Sequence, residues 1–318
     1  MKYVLAPLAG FTDAPFRLMC REGGADLTYT EMVSAAGLAH DSSPTRQLME
    51  TMEGEGPVAC QLFGANESDL AFASREVEKV ATRFVELNLN AGCPMRKVTQ
   101  EGAGAKLIED PEKIYRLLKA MVENTSLPVT LKTRLGPHPQ KTAIFEILDA
   151  AERAGAKGII VHARYTSQMH GGPVNLDAMS EVVRRARIPV TGNGTVYNEI
   201  ALAEMTKTGV SAIMVGRAAL ATPGIFGNFK CGVRPDDPKF RLAFFRRHLD
   251  YVLRFREQLA ARFPDDHVPD ADAFASVRMH VQLFRYFNGL PGAAELRRRL
   301  NDIRSLVEIE AAVAPFFA

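Results

Sequence analysis

The chain has 318 residues, 47% hydrophobic and 24% charged, and its 39 lysines and arginines offset 37 acidic residues to leave a formal net charge of +2. These proportions belong to a globular protein of one large or two ordinary domains and exclude a disordered or collagen-like chain. Cysteines at 20, 60, 93 and 231 are too scattered for a Cys-x-x-Cys zinc or redox pair, no apolar run reaches membrane-spanning length, and residues 1–7 lack the longer apolar stretch and small-residue cleavage site of a secretory signal. The expectation is a cytoplasmic, monomeric protein with reduced thiols, no metal and no membrane partner.

Short apolar runs at 4–6, 27–30, 58–63, 84–89, 129–132, 158–162, 189–192 and 212–215 predict eight strands. Most are continuous rather than alternating, as in parallel strands covered by helices. The segments between them have helical period. Thr12 or Asp13 can cap a helix that carries Pro15 in its first turn and stops at Gly23-Gly24. Ser68 can cap a helix running toward Thr82. Asp110-Pro111-Glu112 opens a helix whose Ile114, Leu117, Leu118 and Met121 share one face. Gly155 and Gly209 end helices just before the sixth and eighth strands.

Eight strands alternating with helices over residues 1–230 predict an α/β fold, a closed (β/α)8 TIM barrel. A doubly wound sheet wants Gly-x-Gly-x-x-Gly after its first strand, and Pro7-Leu8-Ala9-Gly10-Phe11 is a different turn. A Gly/Pro/Asp-rich linker over 231–238 leads to a small helical C-terminal domain, 239–318, with helices over 240–263, 271–287 and 293–313. That tail holds 13 basic against ten acidic residues, and residues 1–238 hold 26 against 27. Phosphate contacts would use such a bias, and a solvated helical surface shows it equally. Phe244, Phe245, Phe284 and Phe287 fall at helical spacing and are expected in a core.

In this fold chemistry sits on the loops that leave the C-terminal strand ends. Gln61, Asn88, Asn90, Cys93, Lys132, Arg134, His162, Arg164, Asn193 and Arg217 all fall there. Thr191-Gly192-Asn193-Gly194-Thr195 and Val215-Gly216-Arg217 end the last two strands, where glycines let backbone amides approach an anion and where this fold commonly holds phosphate. Lys132 closes an apolar strand, so its ammonium either meets an anion or snorkels to water. Gln61 ends another, and a primary amide there can pair with the edge of a flat heterocycle. Cys93 sits between Gly92 and Pro94 on a constrained loop just past a strand. A thiol there can act as a general acid, or as a nucleophile if a base activates it.

These residues, in this order, resemble the tRNA-dihydrouridine synthase family. The matching pieces are Leu5-Ala6-Pro7-Leu8-Ala9-Gly10-Phe11-Thr12-Asp13, Gln61-Leu62-Phe63-Gly64, Asn88-Leu89-Asn90-Ala91-Gly92-Cys93-Pro94, Lys132-Thr133-Arg134, Val161-His162-Ala163-Arg164, Gly192-Asn193-Gly194 and Val215-Gly216-Arg217. The resemblance implies an FMN-dependent barrel that reduces the C5–C6 double bond of particular uridines in tRNA with electrons from NADPH. It implies that Pro7, Leu8 and Ala9 touch the flavin ring, Gln61 and Lys132 hold its pyrimidine edge, and His162 lies at the flavin. Asn193, Gly194, Thr195, Gly216 and Arg217 would bind its phosphate, Cys93 would donate the proton, and Asn90 and Arg134 would line the uridine pocket. Two positions depart from the family: Ala163 stands where many members have glycine, and Thr195 where an acidic residue often follows Gly194. A flavin barrel acting on a free pyrimidine and a non-catalytic tRNA-binding scaffold are the competing readings. The intact Cys93, Lys132 and Gln61 speak against the second of these.

Overall fold

The eight apolar runs form eight strands, β1 (Lys2–Leu5), β2 (Thr28–Ser34), β3 (Val58–Phe63), β4 (Glu86–Ala91), β5 (Val129–Arg134), β6 (Ile159–His162), β7 (Val190–Asn193) and β8 (Ala212–Val215), in a computed structural model that describes residues 1–232 and 238–316. All pairings are parallel, in the order β1-β8-β7-β6-β5-β4-β3-β2. The Val4–Leu27 bridge and the 2.9 Å bond from Leu5 N–H to the Leu27 carbonyl join the sheet's two ends, which closes the barrel. Morphologically this is the expected α/β barrel. Two strands run further toward the mouth than apolarity suggests, because Asn90, Ala91, Thr133 and Arg134 stay in the ladder.

The helices are α1 (Ala14–Glu22), α2 (Ala35–Ala39), α3 (Ser43–Gln47), α4 (Glu67–Glu78), α5 (Arg96–Gln100), α6 (Pro111–Val122), α7 (Ile144–Ala154), α8 (Leu176–Arg185), α9 (Glu199–Lys207), α10 (Arg217–Ala221), α11 (Ile225–Cys231), α12 (Pro238–Arg262), α13 (Ala271–Phe287), α14 (Ala293–Arg299) and α15 (Leu306–Val313). Asp13 caps α1 by accepting from Phe16 N–H, and Asp110 caps α6 by accepting from Lys113 N–H. Gly155 ends α7 at φ +89°, a conformation that side chains resist. The fourth helix differs from the expectation: Asn66, not Ser68, is its N-cap, and it stops at Glu78, four residues before Thr82. An Asn66 start places both Glu67 and Asp69 in the first turn, where the helix dipole favours them.

Strand alternation sorts the side chains. Val4, Ala6, Tyr29, Ala59, Ile160 and Met214 pack inside the barrel. Leu5, Cys60, Leu62, Leu87, Leu89, Leu131, Val161 and Ile213 face the helices in the main core, and Cys60 takes there the packing role that a buried thiol usually has.

The C-terminal helices build a second core from Phe245, Phe255, Met279, Leu283, Tyr286 and Phe287, and it includes Leu18 and Met19 of α1. Burying each such aromatic side chain stabilises by about 1.5–3 kcal/mol. Phe245 meets Phe287 edge-on at 5.5 Å, so the phenylalanine spacing marks core. Polar bonds fix the docking: Arg278 to Asp13 at 2.9 Å, Arg247 to Glu22 at 2.8 Å and Tyr251 to Glu22 at 2.7 Å. The third expected helix is two, separated by a 3-10 turn over Leu300–Asp302. Ser305 and Glu308 form a capping box that restarts the chain as α15. The linker expected over 231–238 falls mostly outside the described residues; α11 runs into it to Cys231.

Candidate active site

Register assembles the mouth. Gln61 stands beside Asn88, Asn90 beside Lys132, Arg134 beside His162, and His162 beside Asn193. Paired residues on parallel neighbours point the same way, so these side chains converge inside the upper barrel.

Cys93 lies two residues past β4, and its loop is tied down from both sides. Asn90 Oδ1 accepts from the backbone N–H of Gly92 at 3.1 Å and of Cys93 at 3.0 Å. Asn90 Nδ2 donates to Gln61 Oε1 at 2.9 Å and lies 2.9 Å from Met32 Sδ. Asn90 is buried, and its polar atoms thus serve the Cys93 loop first. From below, Ala105 N–H donates to the Cys93 carbonyl at 2.9 Å. Gly104 sits beneath at φ +59°, where an added Cβ would stand 2.6 Å from that carbonyl oxygen. The Cys93 side chain is half-buried at the rim, close enough to Lys132 and Arg134 to couple with them electrostatically.

Arg134 is 2% exposed and reaches from β5 to both adjoining loops. Its Nε donates to the Gly92 carbonyl at 2.8 Å, and Nη1 donates to the carbonyls of Met169 at 2.7 Å and Tyr165 at 3.3 Å. Most of its donors therefore clamp the Cys93 loop to the loop after β6, and Nη2 takes no part in these bonds. Arg164 does comparable work, donating to the Gly171 and Gly172 carbonyls and to Thr195 Oγ1. Its Nη1 lies 3.2 Å from His162 Nε2. A guanidinium only donates, so Nε2 is the acceptor and the imidazole is neutral with its proton on Nδ1.

The charge balance of this mouth is one-sided. Burial first, then Lys132, Arg134, Arg164 and His170, push His162 far below its ordinary value. Burial and Arg134 bring the Lys132 ammonium down to about 8, and burial brings Arg134 to about 10. Burial and the surrounding cations lower His170, whose ring stacks at 6.3 Å on His162. Among the described residues, no carboxylate forms an ion pair with Lys132, Arg134, Arg164 or Arg217. Clustered cations without an acid call for an anionic ligand.

The remaining expected residues surround this cluster. Pro7 and Leu8 are half-buried at the end of β1 and Ala9 is exposed, an apolar ledge beside the β8 turn. Leu8 Cδ2 lies 3.9 Å from where a Cβ on Gly216 would stand. Asn193 turns inward and donates to the Met214 carbonyl at 2.8 Å, which ties β7 to β8. Gly194 has φ +132°, and a Cβ there would meet Val174 at 2.9 Å and His162 at 3.1 Å. Thr195 holds φ +56°, unusual for a branched side chain. Arg217 opens α10 and donates to the His170 carbonyl at 3.3 Å.

Two mouth residues carry no sequence signal. His170 arrives on a loop that Arg134 and Arg164 fold over the barrel. Arg285 comes from α13, with its guanidinium 5.3 Å from the Phe11 ring centroid. Burial and Arg217 lower its pKa, and its buried Nε has no hydrogen-bond partner.

The Dihydrouridine synthase (Dus) family model matches residues 4–317. The tRNA-dihydrouridine synthase B of Pseudomonas aeruginosa is 30% identical over 331 positions, covering 100% of this chain and 93% of that protein. Its Escherichia coli counterpart is 33% identical over 226 positions, 71% of this chain and 70% of that one. Morphinone reductase superposes with a TM-score of 0.52 at 13% identity over 75% of this chain and 88% of its own, which is a likeness of fold.

Proposed function

This chain belongs to the dihydrouridine synthase family, and from that premise we propose that it reduces the C5–C6 double bond of specific uridines in tRNA to 5,6-dihydrouridine, with FMN as its bound cofactor and NADPH as the electron source. The observation that carries the reading is a mouth whose clustered cations have no ion-pairing carboxylate among the described residues, with a half-buried thiol at its rim.

The residues present fit FMN. Gly194, Thr195, Gly216 and Arg217 offer backbone and side-chain donors for a phosphate, and Asn193 holds the two strands that carry them at a fixed spacing. Lys132 and one N–H of Gln61 face the place of a pyrimidine edge, and neutral His162 adds a polar contact beside it. Pro7, Leu8 and Ala9 supply the apolar ledge for a ring. When bound, FMN supplies the hydride that goes to C6 of the uracil.

The protein's own residues do the rest. Hydride addition leaves negative charge on the C5 side of the uracil, and the Arg134 guanidinium lowers its energy, while Lys132 would stabilise charge at the cofactor's pyrimidine edge. The Cys93 thiol gives its proton to C5, and solvent later returns one to the sulfur. Arg134 Nη2 and Asn90 border the uridine position, with Asn90 acting mainly through the loop it holds. Residues 1–230 are thus the catalytic barrel and 239–318 the tRNA-binding unit, joined over 231–238. A uridine must leave its stack to reach the mouth, at a cost of a few kcal/mol that arginine–phosphate contacts offset. The proposal has the protein act on tRNA in the cytoplasm, and as a monomer.

Incubation of the FMN-loaded protein with NADPH and unmodified tRNA tests this. Nucleoside mass spectrometry should show uridine gaining two hydrogens. Turnover of free uracil without any action on tRNA would replace this reading with the free-pyrimidine one.

A further inference from the structure

A line of buried side chains runs from the mouth to the opposite end of the barrel. Asn90 Nδ2 donates to Gln61 Oε1 at 2.9 Å, Gln61 Nε2 to Asn88 Oδ1 at 2.6 Å, and Asn88 Nδ2 to Thr130 Oγ1 at 2.7 Å. The Thr130 hydroxyl donates to Glu86 Oε1 at 2.5 Å, and the Tyr29 hydroxyl donates to the same oxygen at 2.7 Å. Gln61 and Asn88 are fully buried, and Asn90, Thr130 and Tyr29 are nearly so. Beside this line, Val4, Ala6, Ala59, Ile160 and Met214 form an apolar cluster inside the barrel, so apolar side chains fill comparable space there without desolvating amides.

The direction of this line is forced at both ends. Backbone N–H groups of Gly92 and Cys93 can only donate, so the Asn90 atom facing them is its oxygen. Its nitrogen must then donate to Gln61, whose nitrogen must donate to Asn88, and so on to Thr130. At the far end a carboxylate oxygen accepts. A single unflipped arrangement satisfies every member.

We infer that Tyr29, Glu86 and Thr130 are positioning residues for the site at the mouth: through Asn88 they fix which face of the Gln61 amide is presented there and, through Asn90, hold the Cys93 loop. The inference rests on the proposed function where it assigns Gln61 to the flavin edge. Gln61 is left with one N–H to offer upward, a donor for a ring carbonyl. Without the Thr130 hydroxyl, Asn88 Nδ2 loses its acceptor and only the Asn90 end still sets the polarity, so the Gln61 amide is held from one side and its face at the mouth is less firmly fixed.

Thr130→Val keeps shape and removes the relay hydroxyl, and Thr130→Ser restores it. In the full-length, ligand-free protein, the side-chain amide NMR signals of Gln61 and Asn90 should move in Thr130→Val and return in Thr130→Ser. In the FMN-loaded enzyme, Thr130→Val should weaken FMN about tenfold, the effect of one hydrogen bond. It should lower kcat while leaving the KM for tRNA unchanged. Adding Thr130→Val to Gln61→Ala should cause little further loss, because the effect travels through Gln61. Glu86→Gln, which can still accept from both hydroxyls, should retain most FMN affinity, and Tyr29→Phe provides a second, milder break.

Unmoved Gln61 and Asn90 signals in Thr130→Val, or additive losses in the double variant, would overturn the inference. If the signals move as expected but no form of the protein binds FMN, the flavin reading fails and the positioning line stands.

Discussion

Replacing Lys132 by methionine should make the ligand-free protein more stable and less active. The folded protein holds this ammonium at a pKa of about 8 against an ordinary 10.5. At about 1.4 kcal/mol per pH unit, its charge therefore destabilises the fold by about 3 kcal/mol at pH 7. An unfolded lysine keeps its proton up to pH 10.5 and the folded one only to about 8, so between those values the unfolded state binds more protons. The wild-type penalty is complete below pH 8 and fades as pH rises through that window. By the same linkage it should fall to about 1.4 kcal/mol at pH 9.5. Urea unfolding of wild type and Lys132→Met at a series of pH values reads the difference, since titrating groups that do not interact with Lys132 cancel. A variant no more stable at pH 7, or a gain that does not shrink toward pH 9.5, would refute the reasoning. On the proposed function the charge is kept for the cofactor's pyrimidine edge, so the same variant should lose FMN affinity and dihydrouridine formation.

Other consequences are as direct. Arg17 and Glu55 form a buried pair, with Arg17 also donating to the Thr12 and Glu50 carbonyls at 2.8 Å each. Arg17→Ala should cost about 3–5 kcal/mol by strandeding Glu55, and the apolar double variant Arg17→Met with Glu55→Leu should recover most of it in urea unfolding. Gly104→Ala forces a Cβ against the Cys93 carbonyl; it should destabilise by about 1–3 kcal/mol and reduce turnover far more than FMN binding, as parallel melting and kinetic measurements would show. Binding of tRNA should weaken at least tenfold between 50 and 200 mM salt, on the order expected for several phosphate contacts, in a filter-binding or anisotropy titration.

Much of the fold is written in local patterns. The continuous apolar runs at 58–63 and 212–215 coincide with β3 and β8 because both faces of those strands are covered. Asp13, Asp110 and Gly155 mark helix ends because capping is chemistry within a few residues. Failures fall where distant residues decide. Arg298 and Arg299 extend helical period through a segment that ends at a 3-10 turn, and the restart at Ser305 is held from α13, where Asp272 accepts from Leu306 N–H at 3.0 Å.

Site residues were visible as types at strand ends, but their engagements were not. Nothing local tells that Arg134 clamps two loops, that Asn193 is bonded to Met214, or that Arg285 reaches the mouth from α13, which starts 56 residues beyond β8. Glu86 falls inside the apolar run at 84–89 with no signal of its own, and only the barrel's closure makes it the floor of a polar column.

The thiol at position 93 is the point on which the account turns. Single-turnover reduction of unmodified tRNA by prereduced enzyme, wild type against Cys93→Ala, isolates its step. The variant should stay yellow and bind tRNA normally while dihydrouridine forms at least 100-fold more slowly, the loss expected for a general acid. Equal rates in the two proteins would contradict it.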